Sequence, residues 1–331
     1  MFFVDNYAAA VVLCVVTMLC WGSWGNAQKL AGRTWRYELF YWDYVLGVLL
    51  LALVAGLTLG SCGDQGRSFL PDLRQASAGN LGSAFLGGIV FNAANILLSA
   101  SISIAGMSVA FPVGIGLALV LGVVVNYVAA PKGSPALLFG GVALIVGAIV
   151  LNAWAYRVKE SGRKVPARGI VLAVICGVLM AFFYRFIAAS MDLDFLHPAA
   201  GKMTPYGAFF VFAGGILAST FVFNTIAMKH PVAGEPVAIS AYFQGGWSVH
   251  LVGLLGGAIW GIGNVINLVA AGRAGPAVSY GLGQGATLVA ALWGILIWQE
   301  FKGAPRLAHR LNAAMFVLFV TGLALIIRAG R

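Results

Sequence analysis

Charged side chains are scarce in this chain. Asp, Glu, Lys and Arg make up 9% of its 331 residues, whereas 61% of the residues are hydrophobic. A soluble domain carries about 25% charged residues, so this composition excludes an ordinary soluble fold. The apolar sequence is long enough for about ten spanning helices, since each needs about 20 residues. The chain is therefore predicted to be an all-α integral membrane protein.

Motifs for covalent and metal chemistry are also missing. The four cysteines form no CxxC pair and no Cys/His cluster, which argues against a metal or redox site. No GxSxG or HExxH motif is present, and the GLGQG segment at 281–285 lacks the preceding strand and the lysine of a nucleotide-binding loop. We therefore predict no enzyme activity, no catalytic residue, no cofactor and no metal site.

The formal net charge is +10, but the basic residues fall in short loops between apolar runs. Basic loop residues set the orientation of membrane helices, so we predict a lipid bilayer as the environment and no nucleic-acid partner. If the N-terminus is outside, twelve Lys and Arg residues, Arg33 among them, face the cytoplasm and seven face the other side. This bias predicts that both termini lie outside, in a bacterial inner membrane.

Ten apolar segments are predicted to be transmembrane helices, because in lipid only helices and closed barrels satisfy their backbone hydrogen bonds. Five lie in residues 1–155 and five in residues 168–331, and a short basic cytoplasmic linker at 156–167 separates them. The predicted spans are 7–28, 38–59, 82–103, 108–129, 135–155, 168–189, 205–228, 247–270, 277–298 and 308–328.

The two sets of five spans resemble each other. A shift of 169 residues places Asn95 on Asn264 and Phe91 on Trp260. Because five is an odd number, the second set enters the membrane in the opposite sense, which makes this an inverted repeat. Inverted repeats are typical of transporters that work by alternating access around a central site. The same shift pairs Gly88 with Gly257, Gly106 with Gly275, Gly114 with Gly283, Gly116 with Gly285 and Phe111 with Tyr280, and in the leading spans Cys14 matches Cys176 and Met18 matches Met180.

Amides inside the apolar segments are the first candidates for solute contacts, since intramembrane polar residues are often functional. Asn92 and Asn95 lie one turn apart, as do Asn264 and Asn267, so each pair shares a helix face. Each amide offers donors and an acceptor, which suits a neutral polar solute. Gln284 is a similar candidate. The alternative is that these amides join helices through interhelical hydrogen bonds.

Aromatic residues are the second set of candidates. Trp21 and Trp24 share a face of the first span, where they could stack on a flat ring or on the apolar face of a sugar. The alternative is an aromatic belt at the membrane surface. Trp260 and Tyr280, the aromatics that the repeat singles out in the second half, complete the predicted solute-binding set.

Proline and glycine interrupt the two halves at related places. Pro112 and Pro276 fall near the starts of the fourth and ninth spans, and such paired interruptions point to a binding site in transporters. Bulky side chains are missing after each proline, and the alternative is that these glycines only let helices pack. The row Gly253, Gly257 and Gly261 is typical of a packing surface between helices.

Ionisable groups within the spans are few. Asp43, in the YWDY segment of the second span, is the candidate for coupling to a proton, or else to sodium. The alternative is an interfacial ion pair with Arg33 or Arg36. Glu300 is predicted to be an interfacial charge, and none of the four histidines has an evident partner in the sequence.

Several short stretches resemble known permeases. The opening MFFVDNYAAA, YWDY at 41–44, MTPYGAFFVF at 203–212 and GGAIWGIGN at 256–264 are most similar to ureide permeases, within the drug/metabolite transporter superfamily. The GAIWGIGNVINL stretch at 257–268 and the later WQEF also resemble bacterial glucose-uptake proteins, and GAIWGIGN resembles the rhamnose–proton symporter. The resemblance implies a ten-span, proton-coupled permease for ureides or nucleobases, or else monosaccharides. The long central loop of plant ureide permeases has no counterpart here.

The sequence as a whole predicts a secondary importer of a small neutral polar solute. A monosaccharide–proton symporter is the alternative nearest to it. Export of amphipathic drugs or metabolites on the same scaffold, and a membrane component that transports nothing, are the remaining alternatives. No oligomeric state follows from the sequence.

Overall fold

The computed structural model of the chain describes residues 1–32, 35–105, 107–159, 166–232 and 234–331, and of residues 103, 107–109, 111 and 112 it describes the backbone alone. Arg33 and Gly106 lie outside the described residues, as do positions 160–165 of the predicted linker. The side chains of Phe111 and Pro112 lie outside them as well.

Helices form nearly all of the regular structure in the described part of the chain. The twelve α-helices are α1 Tyr7–Ala31, α2 Tyr37–Leu57, α3 Phe69–Gln75, α4 Ala78–Ala105, α5 Met107–Ala129, α6 Pro135–Lys159, α7 Ala167–Ser190, α8 Pro205–Lys229, α9 Trp247–Ala274, α10 Pro276–Gly283, α11 Ala286–Leu292 and α12 Arg306–Ala329. A 3₁₀ helix, Ile239–Gln244, precedes α9, and a π-helical turn, Trp293–Ile297, follows α11.

Nine helical segments of the described residues are long and apolar enough to cross a membrane, and α5 contributes a shorter apolar helix, Val113–Ala129. The predicted all-helical, multi-pass architecture is confirmed. The ninth predicted span is not one regular helix, because α10 ends at Gly283 and α11 begins at Ala286 within the glycine-rich GLGQG segment. The short helix α3 is absent from the prediction, since seven residues leave no clear periodicity.

Glycines let the central helices approach backbone to backbone. On α9, a side chain at Gly257 would overlap the carbonyl oxygen of Tyr44 on α2, and one at Gly47 would overlap that of Leu254. Gly253 and Gly261 of the predicted row likewise face α2. The packing role predicted for this row is therefore confirmed, as small residues at membrane helix contacts lead one to expect.

The same kind of contact joins α4 to α8. A side chain at Gly88 would overlap the carbonyl oxygen of Phe212, and one at Gly215 would overlap that of Phe85. Beyond these contacts, α1 packs along α9, α4 along α7, and α6 along α12. The bundle thus surrounds an interior to which α1, α4, α7 and α9 all contribute.

Candidate solute-binding site

A cavity of about 60 Å³ lies inside the bundle. A single water needs about 10–15 Å³ of such space, so the cavity has room for a small solute. Four helices and the interrupted α10–α11 segment supply most of its wall. The lining residues are Trp21, Trp24, Phe91, Asn95, Leu98, Ile115, Met180, Phe183, Trp260, Gln284, Ala286 and Thr287.

Aromatic rings form one wall of the cavity. The rings of Trp21 and Trp260 are stacked, with centroids 6.2 Å apart and planes 10° apart. Phe91 packs on Trp260 with ring centroids 4.4 Å apart. Aromatic faces bind other flat or apolar faces by stacking, so this wall suits a planar ring or the apolar face of a sugar.

The polar groups of the cavity are neutral. No charged side chain is among the described residues that line it, and its hydrogen-bonding side chains are Asn95, Gln284 and Thr287. An uncompensated ion is costly to bury, whereas amides can satisfy the donors and acceptors of a neutral solute. The lining therefore selects for a small, uncharged, polar molecule.

Asn95 is held in place by a hydrogen-bonded chain. Its Nδ2 donates to the Tyr41 hydroxyl over 3.1 Å, and that hydroxyl donates to Asn92 Oδ1 over 2.8 Å. Asn92 Nδ2 in turn donates to the hydroxyl of Ser219 over 2.8 Å and of Thr220 over 3.0 Å. Asn92 is buried outside the cavity lining and joins α4 to α2 and α8, as the interhelical alternative for it requires.

The two amides of α9 also lie outside the lining. Asn267 accepts a hydrogen bond from the Tyr184 hydroxyl over 2.7 Å and donates to the carbonyl oxygen of Ser279 over 3.0 Å, so it joins helices. Asn264 is 1% exposed, and neither its Oδ1 nor its Nδ2 has a partner among the described residues. A buried unpaired amide is rare in proteins, which sets Asn264 apart from the other amides.

Tyr280 does not reach the cavity either. Its side chain is fully buried, and its hydroxyl donates to the carbonyl oxygen of Ala118 over 3.1 Å. Of the nine predicted solute-binding residues, the structure thus brings five to one cavity and leaves four outside its lining. The five are Trp21, Trp24, Asn95, Trp260 and Gln284, and the four are Asn92, Asn264, Asn267 and Tyr280.

Sequence reasoning missed several apolar lining residues. Phe91 and Met180 carried a usable signal, because the repeat matches them with Trp260 and Met18. Phe183 and Ile115 carried no distinct signal, since apolar residues are the default content of a spanning helix. Their role follows only from their position around the cavity.

A second cavity, also of about 60 Å³, adjoins the first and shares Trp21 and Trp24 with it. Lys29 forms an ion pair with Glu300 over 2.8 Å, and the Tyr156 hydroxyl donates to the same carboxylate over 2.5 Å. Desolvation raises the pKa of Glu300, but the Lys29 and Tyr156 hydrogen bonds and the charges of Lys29 and Lys159 together hold it below its ordinary value. This vestibule links the central cavity to the helix ends where Lys29 and Glu300 meet.

Asp43 lies away from the cavity, in a polar cluster of its own. Its carboxylate is 2% exposed and accepts a hydrogen bond from the Tyr242 hydroxyl over 2.5 Å. Nδ1 of His250 lies 3.0 and 2.9 Å from the two carboxylate oxygens. Arg36 pairs with Glu38 over 2.7 Å, so it is not the partner of Asp43.

The structure corrects the expectation that no histidine has a partner. His250 has Asp43, which is 207 positions away in the sequence. The loop between α8 and α9 and the packing of α9 on α2 bring the two together. No local sequence pattern marks such a long-range pair.

Comparisons with known proteins agree with this picture. The sequence profile of the ureide permease family matches residues 40–165 and 155–329. Ureide permease 1 of Arabidopsis thaliana is 21% identical over 383 aligned positions, which cover 98% of each protein. Ureide permease 4 of the same plant is 22% identical over 399 positions, again covering 98% of each protein. Both alignments are longer than the 331 residues of this chain, so the plant proteins carry additional residues.

Two further likenesses bear on the sugar alternative and on the fold. A Lactococcus lactis subsp. lactis protein named for sugar uptake is 39% identical over 70 residues, which are 21% of this chain and 23% of that protein. A crystal structure of another protein matches with a TM-score of 0.62 at 16% identity, over 97% of this chain and 96% of that one, and shows the fold alone. From the profile, the full-length relatives and the multi-pass fold, the chain belongs to the ureide permease family and is a membrane transporter, not an enzyme.

Proposed function

We propose that this chain carries a small, neutral, polar and planar solute of the ureide or nucleobase type into the cell. The observation that supports this most is the uncharged cavity, in which amide groups from Asn95 and Gln284 adjoin the stacked Trp21 and Trp260. Ureides and nucleobases combine a flat shape with several amide donors and acceptors, and stacking plus amide hydrogen bonds recognise both features. The names of the plant relatives point to the same class of solute.

The carrier works by alternating access of two inverted five-helix repeats, 1–155 and 168–331, joined by the linker 156–167. In this arrangement α1, α2, α4, α5 and α6 correspond to α7, α8, α9, α10–α11 and α12, giving ten spans. The cavity supports it, because shifts of 162 and 169 residues pair lining residues with one another. These pairs are Trp21 with Phe183, Phe91 with Trp260, and Ile115 with Gln284.

The glycine contacts and helix packing support the same symmetry. Gly257 on Tyr44 and Gly88 on Phe212 are related by shifts of 169 and 168 residues. Packing of α1 on α9 likewise corresponds to packing of α7 on α4. A solute bound on such an axis meets similar groups from both halves, so rocking one half against the other exposes it to either side.

We place both termini outside, in a bacterial inner membrane, so that the helix ends near Lys29 and Glu300 face the cytoplasm. The vestibule is then the cytoplasmic route to the central cavity. Uptake is coupled to protons through Asp43, a buried carboxylate with hydrogen-bonding partners inside the membrane region. Intramembrane carboxylates of this kind form proton relays in pumps and transporters.

A monosaccharide is the second candidate solute. The local likeness to a sugar uptake protein covers 70 residues. The tryptophan wall would also cover the apolar face of a sugar ring. A sugar offers hydroxyl groups in place of amides, so competition between solutes distinguishes the two candidates.

The test is uptake by the purified full chain in proteoliposomes. The probes are radiolabelled allantoin, uracil and glucose, each with and without an inward pH gradient. We expect uptake of allantoin or uracil that the gradient increases and that unlabelled glucose does not inhibit. Uptake of glucose alone would favour the sugar reading, and uptake of none of the three would refute the proposal.

A further inference from the structure

The cluster around Asp43 is separate from the cavity and is built from three elements. Asp43 comes from α2, His250 from the first turn of α9, and Tyr242 from the 3₁₀ helix before it. The Trp35 ring closes the cluster with its centroid 5.4 Å from that of His250, at an edge-on angle of 76°. A proton site with this composition is more than a lone carboxylate.

The charges in the cluster balance only when it holds a proton. Asp43 has no lysine or arginine within ion-pair distance among the described residues, and its hydrogen-bond partners are His250 and Tyr242. An aspartate beside an imidazolium is neutral overall, and so is a protonated aspartate beside a neutral imidazole. Removal of that single shared proton leaves a buried, uncompensated anion, which is unfavourable in an apolar environment.

Other charged groups near α9 are engaged elsewhere or lie at helix ends. Lys29 on α1 pairs with Glu300, and Arg36 before α2 pairs with Glu38. The remaining charged residues on the elements packed against α9 are Lys229 at the end of α8 and Arg273 at the far end of α9 itself. His250 is therefore the cationic partner that the structure gives to Asp43.

The two residues differ in access to water. The Asp43 side chain is 2% exposed, whereas that of His250 is 17% exposed. A proton thus enters and leaves through the imidazole ring, the one of the pair that water can reach. Histidine is also the side chain whose ordinary titration falls between about pH 5 and 8, the range in which a cellular pH gradient acts.

The cluster is mechanically connected to the cavity. Tyr44, next to Asp43 on α2, packs on Trp24 with ring centroids 4.9 Å apart and on Trp260 with centroids 6.5 Å apart. On the opposing helix, a side chain at Gly253 would overlap the β-carbon of Asp43. A change in charge at Asp43 therefore acts directly on the α2–α9 contact that carries two cavity tryptophans.

We propose that His250 is the proton-exchanging residue of this transporter, with Asp43 as its buried counter-ion and Tyr242 as the hydrogen-bond donor that orients the carboxylate. The imidazolium releases its proton to water and leaves the carboxylate as an unpaired anion, and a proton from the other side restores the neutral pair. Loss of the neutral pair loosens the α2–α9 contact and favours the change of access. This inference rests on the proposed proton-coupled import.

The first test separates solute exchange at equal pH from accumulation driven by a pH gradient, in proteoliposomes with the three probes named above. We expect His250→Gln to lose gradient-driven accumulation by about tenfold or more while exchange persists. His309→Gln, an exposed histidine of α12, is the matched control and retains both. Normal accumulation by His250→Gln would overturn the inference. Absence of exchange in the unmodified chain would instead overturn the proposed function.

The second test does not depend on transport. Side-chain ¹⁵N NMR of the detergent-solubilised chain reports its four histidines, and the signal lost in His250→Gln identifies His250. We expect this signal to titrate between about pH 5 and 8, and its midpoint to move by about one pH unit or more in Asp43→Asn. Tyr242→Phe, a milder change, moves the midpoint less. A signal that does not titrate in this range, or a midpoint that Asp43→Asn leaves in place, would contradict the inference.

Discussion

Asn95 and Asn264, 169 residues apart in the sequence, have unlike surroundings on α4 and α9. Asn95 lines the cavity and donates to Tyr41, whereas Asn264 is buried with both polar atoms unpaired among the described residues. Alternating access explains the difference, because related positions of two inverted repeats exchange environments when the carrier changes its facing side. Asn264 then meets the solute in the opposite state.

Asn264→Leu tests this exchange of environments. A buried unpaired amide costs about 1–3 kcal/mol, so the apolar substitute keeps or raises the melting temperature in detergent. Transport falls by about tenfold, the equivalent of one hydrogen bond to the solute.

Asn92→Leu is the matched control for that prediction. It removes the hydrogen bonds to Tyr41, Ser219 and Thr220, and we expect it to lower stability by about 1–3 kcal/mol. Equal destabilisation by Asn264→Leu and Asn92→Leu would show that Asn264 has a partner in this state, against the account.

Trp260→Leu removes the ring that stacks on both Trp21 and Phe91. Aromatic stacking contributes about 0.5–1.5 kcal/mol beyond the area it buries, so we expect an increase in KM for the transported solute of about tenfold or less. Uptake kinetics in proteoliposomes give the value. Trp154→Leu, at an exposed position of α6, is the control, and an equal effect of the two substitutions would argue against the tryptophan wall.

The ion pair between Lys29 and Glu300 predicts a pH dependence. Desolvation opposes ionisation of Glu300, yet its hydrogen bonds and the nearby lysines leave its pKa below the ordinary 4.5. A carboxyl group whose pKa is lowered by folding stabilises the fold above its unfolded pKa, and this contribution is lost as the pH falls through the folded value.

We therefore expect Glu300→Gln to lower the melting temperature at pH 7 and to have little effect below the folded-state pKa of Glu300. Thermal unfolding in detergent at several pH values measures this. Glu235→Gln, at an exposed loop position, is the control. A difference between the unmodified chain and Glu300→Gln that does not change with pH would contradict the electrostatic explanation.

Gly257→Ala probes the contact between α9 and α2. The added methyl group would overlap the Tyr44 carbonyl oxygen, and overpacking of this kind costs about 1–3 kcal/mol. We expect a lower melting temperature and reduced transport, since Tyr44 packs on Trp24 and Trp260. Gly214→Ala on α8, where nothing lies within 4 Å of the new atom, leaves both unchanged if the contact is the cause.

The multi-pass helical fold followed from the sequence because lipid imposes length and hydropathy on every span. The glycine row of α9 was also predictable, since close packing in membranes favours small residues. The break between α10 and α11 was not, because glycine is common both in regular membrane helices and at interruptions.

The candidate site was only partly predictable for a different reason. A polar residue such as Asn95 or Asn92 stands out in an apolar span, but its sequence does not tell a cavity from a helix contact. The Asp43–His250 pair could not be found locally, since it forms across 207 positions through a loop and two packed helices. Apolar lining residues such as Phe183 look like any other lipid-facing or core residue until the helices are assembled.

Solute exchange in proteoliposomes tests the central claim most directly, because it requires a binding site and alternating access but no coupling ion. External radiolabelled allantoin or uracil is offered to vesicles that contain the same unlabelled solute. The account predicts protein-dependent accumulation of label that falls by about tenfold in Asn95→Leu. No exchange of allantoin, uracil or glucose above that of empty vesicles would contradict it.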